Sequence, residues 1–293
     1  MKDSLISLNI GEVKKIKLKD YSTYKVGGDS LMVFIDSINS LIKLLKYLDF
    51  NKIKYKVIGN ASNLIFDDSG YDGVLINLSD VKVFKKYGNY FTVSSGYSLS
   101  KFSLDVSYMG YTGMEFSTGI PGQIGGAVFM NAGCYGSSIS NILYKVKVLT
   151  LDYKIKTLYN KDLNFGYRDS IFRHRGFICL STTFKLSKGN VDEIKSKIEE
   201  YRLKRFNSQP LEYPNAGSVF RNPEGNYAGK MIEDLGLKGK NAGGAYISEK
   251  HANFIVNKDN ASSKDIIGLI NMVKAEVKKE YNIDLICEQE IVE

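Results

Sequence analysis

Residues 117–136 run Ser-Thr-Gly-Ile-Pro-Gly-Gln-Ile-Gly-Gly-Ala-Val-Phe-Met-Asn-Ala-Gly-Cys-Tyr-Gly, with six glycines at 119, 122, 125, 126, 133 and 136. Apolar side chains (Ile120, Ile124, Val128, Phe129, Met130) are threaded between them. A flexible linker would carry serine and few apolar residues, so this stretch reads as a packed loop in which backbone meets a ligand. Glycine permits close approach and lets several N–H groups converge on one anion. Pro121 stiffens the entry. A shorter version, Gly59-Asn60-Ala61-Ser62-Asn63, follows the strand Tyr55–Ile58 and reads as a second anion cradle or as an ordinary turn.

Three further places could do chemistry. In the segment Leu285–Val292, read as a closing strand, period two puts Glu288 and Glu290 on one face with Ile286 and Val292. Two carboxylates on such a face are expensive unless a cation or a reacting group meets them; a solvated sheet edge is the alternative. Arg168 follows Tyr167 in a loop and could clamp a carboxylate with its planar fork, or pair with Asp169 or Glu115. Ser218 follows Asn215-Ala216-Gly217 in a loop stiffened by Pro210, Pro214 and Pro223. No Gly-x-Ser-x-Gly elbow accompanies it, which disfavours a hydrolase.

The elements that must position these groups alternate irregularly. Helices are expected at about 37–49, 99–109, 191–201 and 226–235 and from Ser263, and a hairpin at Lys145–Leu151 and Ile155–Tyr159. Lys188-Gly189-Asn190 is the best candidate linker. Strands grouped with helices, but without strict alternation, indicate an α+β fold.

The chain has 293 residues, a formal charge of +8 and 43% hydrophobic residues, ordinary for a globular protein of two or three lobes. The lysines are scattered, so a basic surface suited to anionic substrates is the expectation rather than a nucleic-acid arm. Cys134, Cys179 and Cys287 lack C-x-x-C spacing, and His174 and His251 lack a cluster, so neither a disulfide framework nor a metal site is expected. His251 reads as a structural hydrogen-bonder. With no signal-like N-terminus and no apolar run of membrane length, a cytoplasmic protein without a membrane partner is expected.

Seven motifs in order then carry a resemblance: Gly59–Leu64, Thr118–Gly136, Gly166–Phe172, Ala216–Pro223, Ala228–Glu233, Ser248–Asn257 and Glu288–Ile291. Together they resemble the UDP-N-acetylenolpyruvoylglucosamine reductases, the MurB family. The short stretch between Phe172 and Lys188 is similar to the branch that lacks an extra tyrosine-bearing loop. The resemblance implies an FAD-binding α+β fold of the vanillyl-alcohol-oxidase (PCMH) type with a separate C-terminal substrate domain. The corresponding parts would be 1–75 and 76–190 for two FAD-binding lobes and 191–293 for the substrate domain. It implies noncovalent FAD held by Gly59, Asn60, Ala61, Ser62 and Asn63 and by Gly119, Ile120, Pro121, Gly122, Gly125, Gly126 and Ala127. NADPH would reduce the flavin, and UDP-N-acetylglucosamine enolpyruvate would then be reduced to UDP-N-acetylmuramate by a monomeric enzyme. Arg168 and Glu290 would stabilise the enol-like intermediate, Ser218 would give the proton, and Asn222 and Lys230 would help bind the diphosphate. Departures from the family pattern are Ser208 for a basic residue, Arg221 for lysine and Gln289 for proline. The alternatives are a flavin oxidase of small alcohols or sugars with the same fold, and a nonenzymatic nucleotide- or nucleic-acid-binding module.

Overall fold

The computed structural model describes Met1–Glu293, and the chain folds into two compact units. The first comprises Met1–Lys14, Met32–Gly59 and Val74–Lys204; the second comprises Lys15–Leu31, Asn60–Gly73 and Arg205–Glu293. The strands Gly11–Lys17 and Asp29–Ile35 carry the chain from one unit into the other and back.

In the first unit the helix Ile38–Phe50 starts where the Ser37 side chain accepts from the Ser40 N–H, a cap for one of the orphan donors of the first turn. It buries Leu41, Leu44, Leu45 and Leu48, the face that helical spacing predicts. Tyr55–Val57 pairs in parallel with Val74–Asn77, and this ladder ends two residues before Gly59. A five-stranded antiparallel sheet follows in the order Ile155–Tyr159, Leu143–Leu149, Ile178–Lys185, Tyr90–Ser94, Phe84–Tyr87. The helix Leu99–Tyr108 and the short helix Ile124–Phe129 join it in one core with Phe91, Phe102, Val128 and Phe184. Burying each such side chain stabilises the unit by about 1.5–3 kcal/mol relative to exposure. The glycine stretch is thus a short core helix, Ile124–Phe129, set between loops. Its apolar residues bury one side while its glycines remain near the surface.

Lys188-Gly189-Asn190 is tied down: Lys188 pairs with Tyr111, the Gly189 N–H donates to the Gly110 carbonyl, and Asn190 caps the helix Val191–Ser208.

In the second unit the helix Ser263–Tyr281 begins with a capping box between Ser262 and Asp265 and buries Ile266, Ile270, Val273 and Val277. It shares a core with Tyr24, Phe220, Ile232 and Ile255. The three-stranded sheet Asn241–Ala242, Ala245–Ile247, Ile255–Asn257 and the helix Ala228–Asp234 belong to this unit. The closing strand is shorter than the sequence predicts, only Glu290–Val292, and pairs in parallel with Leu64–Phe66. The cause is a change of partner: the Glu288 N–H donates to the Val219 carbonyl, but the Glu290 N–H donates to the Asn63 carbonyl. The chain bends at Glu288 and Gln289 between these two attachments. Period two therefore does not run through 286–292, and the expected common face for Glu288 and Glu290 is corrected. No helix is long and apolar enough to cross a membrane.

Candidate flavin and substrate site

In the first unit the structure brings Gly59, the first residue of the shorter motif, against the longer glycine stretch. A Cβ on Gly59 would stand 3.3 Å from Gln123 Oε1, within the longer glycine stretch. Asn77, fully buried, holds the turn by donating to the carbonyls of Ile58 and Gly59 at 3.1 and 3.3 Å. Gly122 has φ +138°, a conformation that a side chain would strain. Gly125 packs so closely that an added Cβ would meet Ser95 Cβ at 2.9 Å, and its N–H donates to the Ser95 carbonyl at 2.8 Å. Gly126 is exposed, with open space where a Cβ would be.

Arg168 stands in the same unit on a tight turn. The Gly166 and Asp169 main chains exchange hydrogen bonds of 3.1 and 3.3 Å, and Arg168 takes φ +55° at the corner. Backbone in this region costs about 1–3 kcal/mol and persists only where neighbours enforce it. Asn131 is one enforcer: its amide donates to the Gly166 carbonyl at 2.9 Å, and its Oδ1 accepts from the Ser140 N–H at 3.0 Å. The Ser170 hydroxyl, donating to the Phe129 carbonyl at 2.7 Å, is another. The guanidinium donates to the Gly133 carbonyl at 3.0 Å and lies over the Tyr167 ring. The arginine is therefore mounted on the glycine stretch. Burial pushes the Asp169 carboxyl up, but His174, the Ser170 N–H and Arg173 outweigh it and hold the group below its ordinary value.

The second unit carries the remaining candidates. Ala61 takes φ +52° and is buried, Ser62 and Asn63 are half-buried and Asn60 is exposed. Asn63 donates through its amide to the Glu288 carbonyl at 3.0 Å and accepts from the Glu290 N–H through its own carbonyl. A residue expected at the cofactor thus also fixes the backbone of Glu290. Ser218 follows Gly217, whose φ of +76° sets the corner. Its hydroxyl is half-buried and bonds to no other group of the chain. Two buried amides hold the loop around it. Asn253 exchanges both hydrogen bonds with the Phe220 main chain, at 2.8 and 2.9 Å, and Gln289 donates to the Ala216 and Gly217 carbonyls at 3.2 and 3.0 Å.

Asn222 Oδ1 accepts from the Ala228 N–H at 3.1 Å, and so anchors the helix that carries Lys230. The Lys230 ammonium is paired with Asp234, four residues on, and that partner raises its pKa. The pair is exposed and cheap to exchange for another anion. His251 Nδ1 accepts from the Asn253 N–H at 3.2 Å, and burial lowers its pKa. Sequence reasoning missed Asn77, Asn131 and Asn253, and took Gln289 only as a departure. Their one signal is an amide beside a turn or a bend, too common to single them out.

A model of an FAD binding domain matches residues 30–159, and a model of the UDP-N-acetylenolpyruvoylglucosamine reductase C-terminal domain matches 209–292. A UDP-N-acetylenolpyruvoylglucosamine reductase of Lactobacillus helveticus is 43% identical, the match covering 97% of this chain and 95% of the relative. One of Halalkalibacterium halodurans is 40% identical over 99% of this chain and 97% of its own length. The chain belongs to the UDP-N-acetylenolpyruvoylglucosamine reductase family. A crystal structure of the reductase from Thermus caldophilus superposes on this reductase-family chain with a TM-score of 0.83, at 33% identity, covering 96% of this chain and 99% of that one. The α+β FAD-binding fold with a separate C-terminal domain is the one expected from the sequence.

The residues present fit an FAD. The Ser95 hydroxyl is buried without a partner, in direct contact range of Gly125, and Gly126 leaves open space beside it. A dinucleotide pyrophosphate needs such bare backbone and an available donor.

Proposed function

We propose that Arg168, Ser218 and Glu290 carry the reaction of this family in this chain. The protein is an FAD-containing oxidoreductase, a UDP-N-acetylmuramate dehydrogenase. With NADPH it reduces UDP-N-acetylglucosamine enolpyruvate to UDP-N-acetylmuramate in the synthesis of peptidoglycan precursors. Gly59 to Asn63 and Gly119 to Ala127 hold the cofactor. When bound, FAD would supply the redox chemistry, hydride transfer between NADPH and the enolpyruvyl ether.

The chain's own residues do the rest. Hydride addition at the vinyl terminus moves electrons toward the carboxylate of the enolpyruvyl group, so a fixed cation or hydrogen-bond donor there lowers the barrier. Arg168 provides the cation, already oriented because its turn is strained and fastened. Glu290, when protonated, donates a hydrogen bond to the same carboxylate. Ser218 gives the proton to the carbon that does not receive the hydride. Asn222 and Lys230 bind the diphosphate, Lys230 by leaving Asp234. Functionally, residues 1–75 and 76–190 serve the flavin and 191–293 the substrate, with segments 15–31 and 60–73 of the first part packed into the C-terminal unit. The enzyme works as a cytoplasmic monomer with no nucleic-acid or membrane partner; its net charge of +8 suits two anionic substrates.

The observation that carries this reading is the Ser218 hydroxyl, held at a fixed corner with no bond of its own to the chain. A positioned proton donor contributes about 10²–10⁴-fold to the step it serves. Ser218→Ala should therefore reduce its flavin with NADPH at the native rate in stopped flow. Its reoxidation by UDP-N-acetylglucosamine enolpyruvate should be slower by that factor. Equal slowing of both half-reactions would return Ser218 to a purely structural part in the turn.

A further inference from the structure

Gln289 is 4% exposed, and every polar atom of its side chain is engaged. Nε2 donates to the carbonyls of Ala216 and Gly217 at 3.2 and 3.0 Å, and Oε1 accepts from the Tyr24 hydroxyl at 3.0 Å. The orientation of the amide follows from these partners, since two carbonyls can be served only by the NH₂ end. Tyr24 is itself fully buried, and its own carbonyl accepts from the Asn257 amide at 2.9 Å. Burial pushes the phenol far above its ordinary pKa, so it stays a donor at every working pH.

The positions in the chain give this contact its meaning. Gln289 immediately precedes Glu290, and Gly217 immediately precedes Ser218. One side-chain amide therefore spans the backbone that carries the proposed acid and the backbone that carries the proposed proton donor. The two backbones also meet directly, through the Glu288 N–H to the Val219 carbonyl at 2.7 Å and the Arg221 N–H to the Ile286 carbonyl at 2.9 Å, while Glu290 and Val219 are tied elsewhere to Asn63 and Asn253. Gln289 is the side chain that extends this pairing to Gly217, the residue before Ser218.

We propose that Gln289, clamped by Tyr24, is a positioning residue that holds Ser218 and Glu290 in working register. It touches no substrate and acts through the residue that follows it and through Ser218. The inference rests on the roles proposed above for those two residues. A misplacement of about 1 Å can cost on the order of 10²-fold in rate, and the loss must fall on the step that Ser218 and Glu290 serve.

The test uses the FAD-loaded enzyme and three variants. Gln289→Met keeps the length and loses all three hydrogen bonds. It should retain its flavin and its rate of reduction by NADPH, while reoxidation by UDP-N-acetylglucosamine enolpyruvate slows by about 10- to 100-fold. Added to Ser218→Ala, it should slow reoxidation by clearly less than it does in the native background, because the part of its effect that passes through the hydroxyl is already gone. Gln289→Glu supplies the conservative rescue: its neutral carboxyl can accept from Tyr24 and donate to one carbonyl, whereas its carboxylate faces two carbonyls and repels them. Reoxidation in this variant should recover as the pH falls, with an ionisation that native enzyme and Gln289→Met lack. Multiplied effects in the double variant, equal slowing of both half-reactions, or a flat pH profile in Gln289→Glu would each overturn the proposal. Ser218→Ala alone separates the two failures. A native reoxidation rate there withdraws the proton-donor role itself, while a slow Ser218→Ala beside a native-rate Gln289→Met overturns only the positioning role.

Discussion

Arg168 sits at a corner whose ties reach back only 35 residues, from Asn131 to the Gly166 carbonyl and from the guanidinium to the Gly133 carbonyl. Ser218 and Glu290 are fastened by one tie of similar reach, 33 residues from Asn253 to Phe220, and by three far longer ones: 72 residues from Gln289 to Gly217, 225 from Asn63 to Glu288 and 265 from Tyr24 to Gln289. The first region is shaped chiefly by backbone: glycines, a left-handed corner, carbonyls as acceptors. The second is shaped by buried side-chain amides, each serving a donor and an acceptor at once. Backbone-built sites fail when a side chain is added. Amide-built sites fail when one is taken away.

That contrast can be broken by experiment. The largest effect belongs to the backbone region. Gly125→Val pushes a side chain into Ser95, and the purified protein should lose its noncovalent flavin altogether. Absorbance of the pure protein, before and after added FAD, reads the outcome; a yellow variant with native flavin content would mean that the cradle lies elsewhere.

Next comes the amide region. Asn253→Ala strands both the N–H and the carbonyl of Phe220, a residue only 2% exposed. Each stranded group costs about 1–3 kcal/mol, so a loss of roughly 2–6 kcal/mol should appear in urea unfolding followed by a probe in the second unit. A change below about 0.5 kcal/mol, the scale of an ordinary surface substitution, would show that the loop is held without it.

The smallest effect tests the ion pairs at the arginine turn. Asp169 has a depressed pKa, so its contribution is present above its unfolded value near 3.8 and is lost as pH falls through the folded one. The group is partly exposed, which limits the effect to less than about 1 kcal/mol. Asp169→Asn should lower stability slightly at neutral pH and converge with the native protein in acid. A difference that instead grows as the pH drops would assign the turn's stability to something other than this carboxylate.

Much of the backbone region was legible in the sequence, because glycine and proline state their purpose locally. The stretch 117–136 read as a ligand loop, and the helix starts expected near 37 and at Ser263 lie within one residue of those found, Ile38 and Ser263. The amide region was legible only through its motifs. Nothing beside Asn253 names Phe220 as its partner, and nothing beside Gln289 names Gly217. The closing strand was misread for the same reason. Period two describes a strand with one partner, whereas residues 288–290 leave Val219 for Asn63, and no local pattern records that exchange.

The 265-residue span between Tyr24 and Gln289 also bears on the time the protein takes to become itself. Closing a loop grows costlier only logarithmically, by about 0.6 kcal/mol per doubling. The step from a 35-residue tie to a 265-residue one is roughly three doublings, or about 2 kcal/mol. One or two buried hydrogen bonds offset that in the finished molecule. Kinetics is less forgiving, since distant partners must meet before any reward is collected. The clamp behind Ser218 is thus inexpensive to keep and slow to assemble.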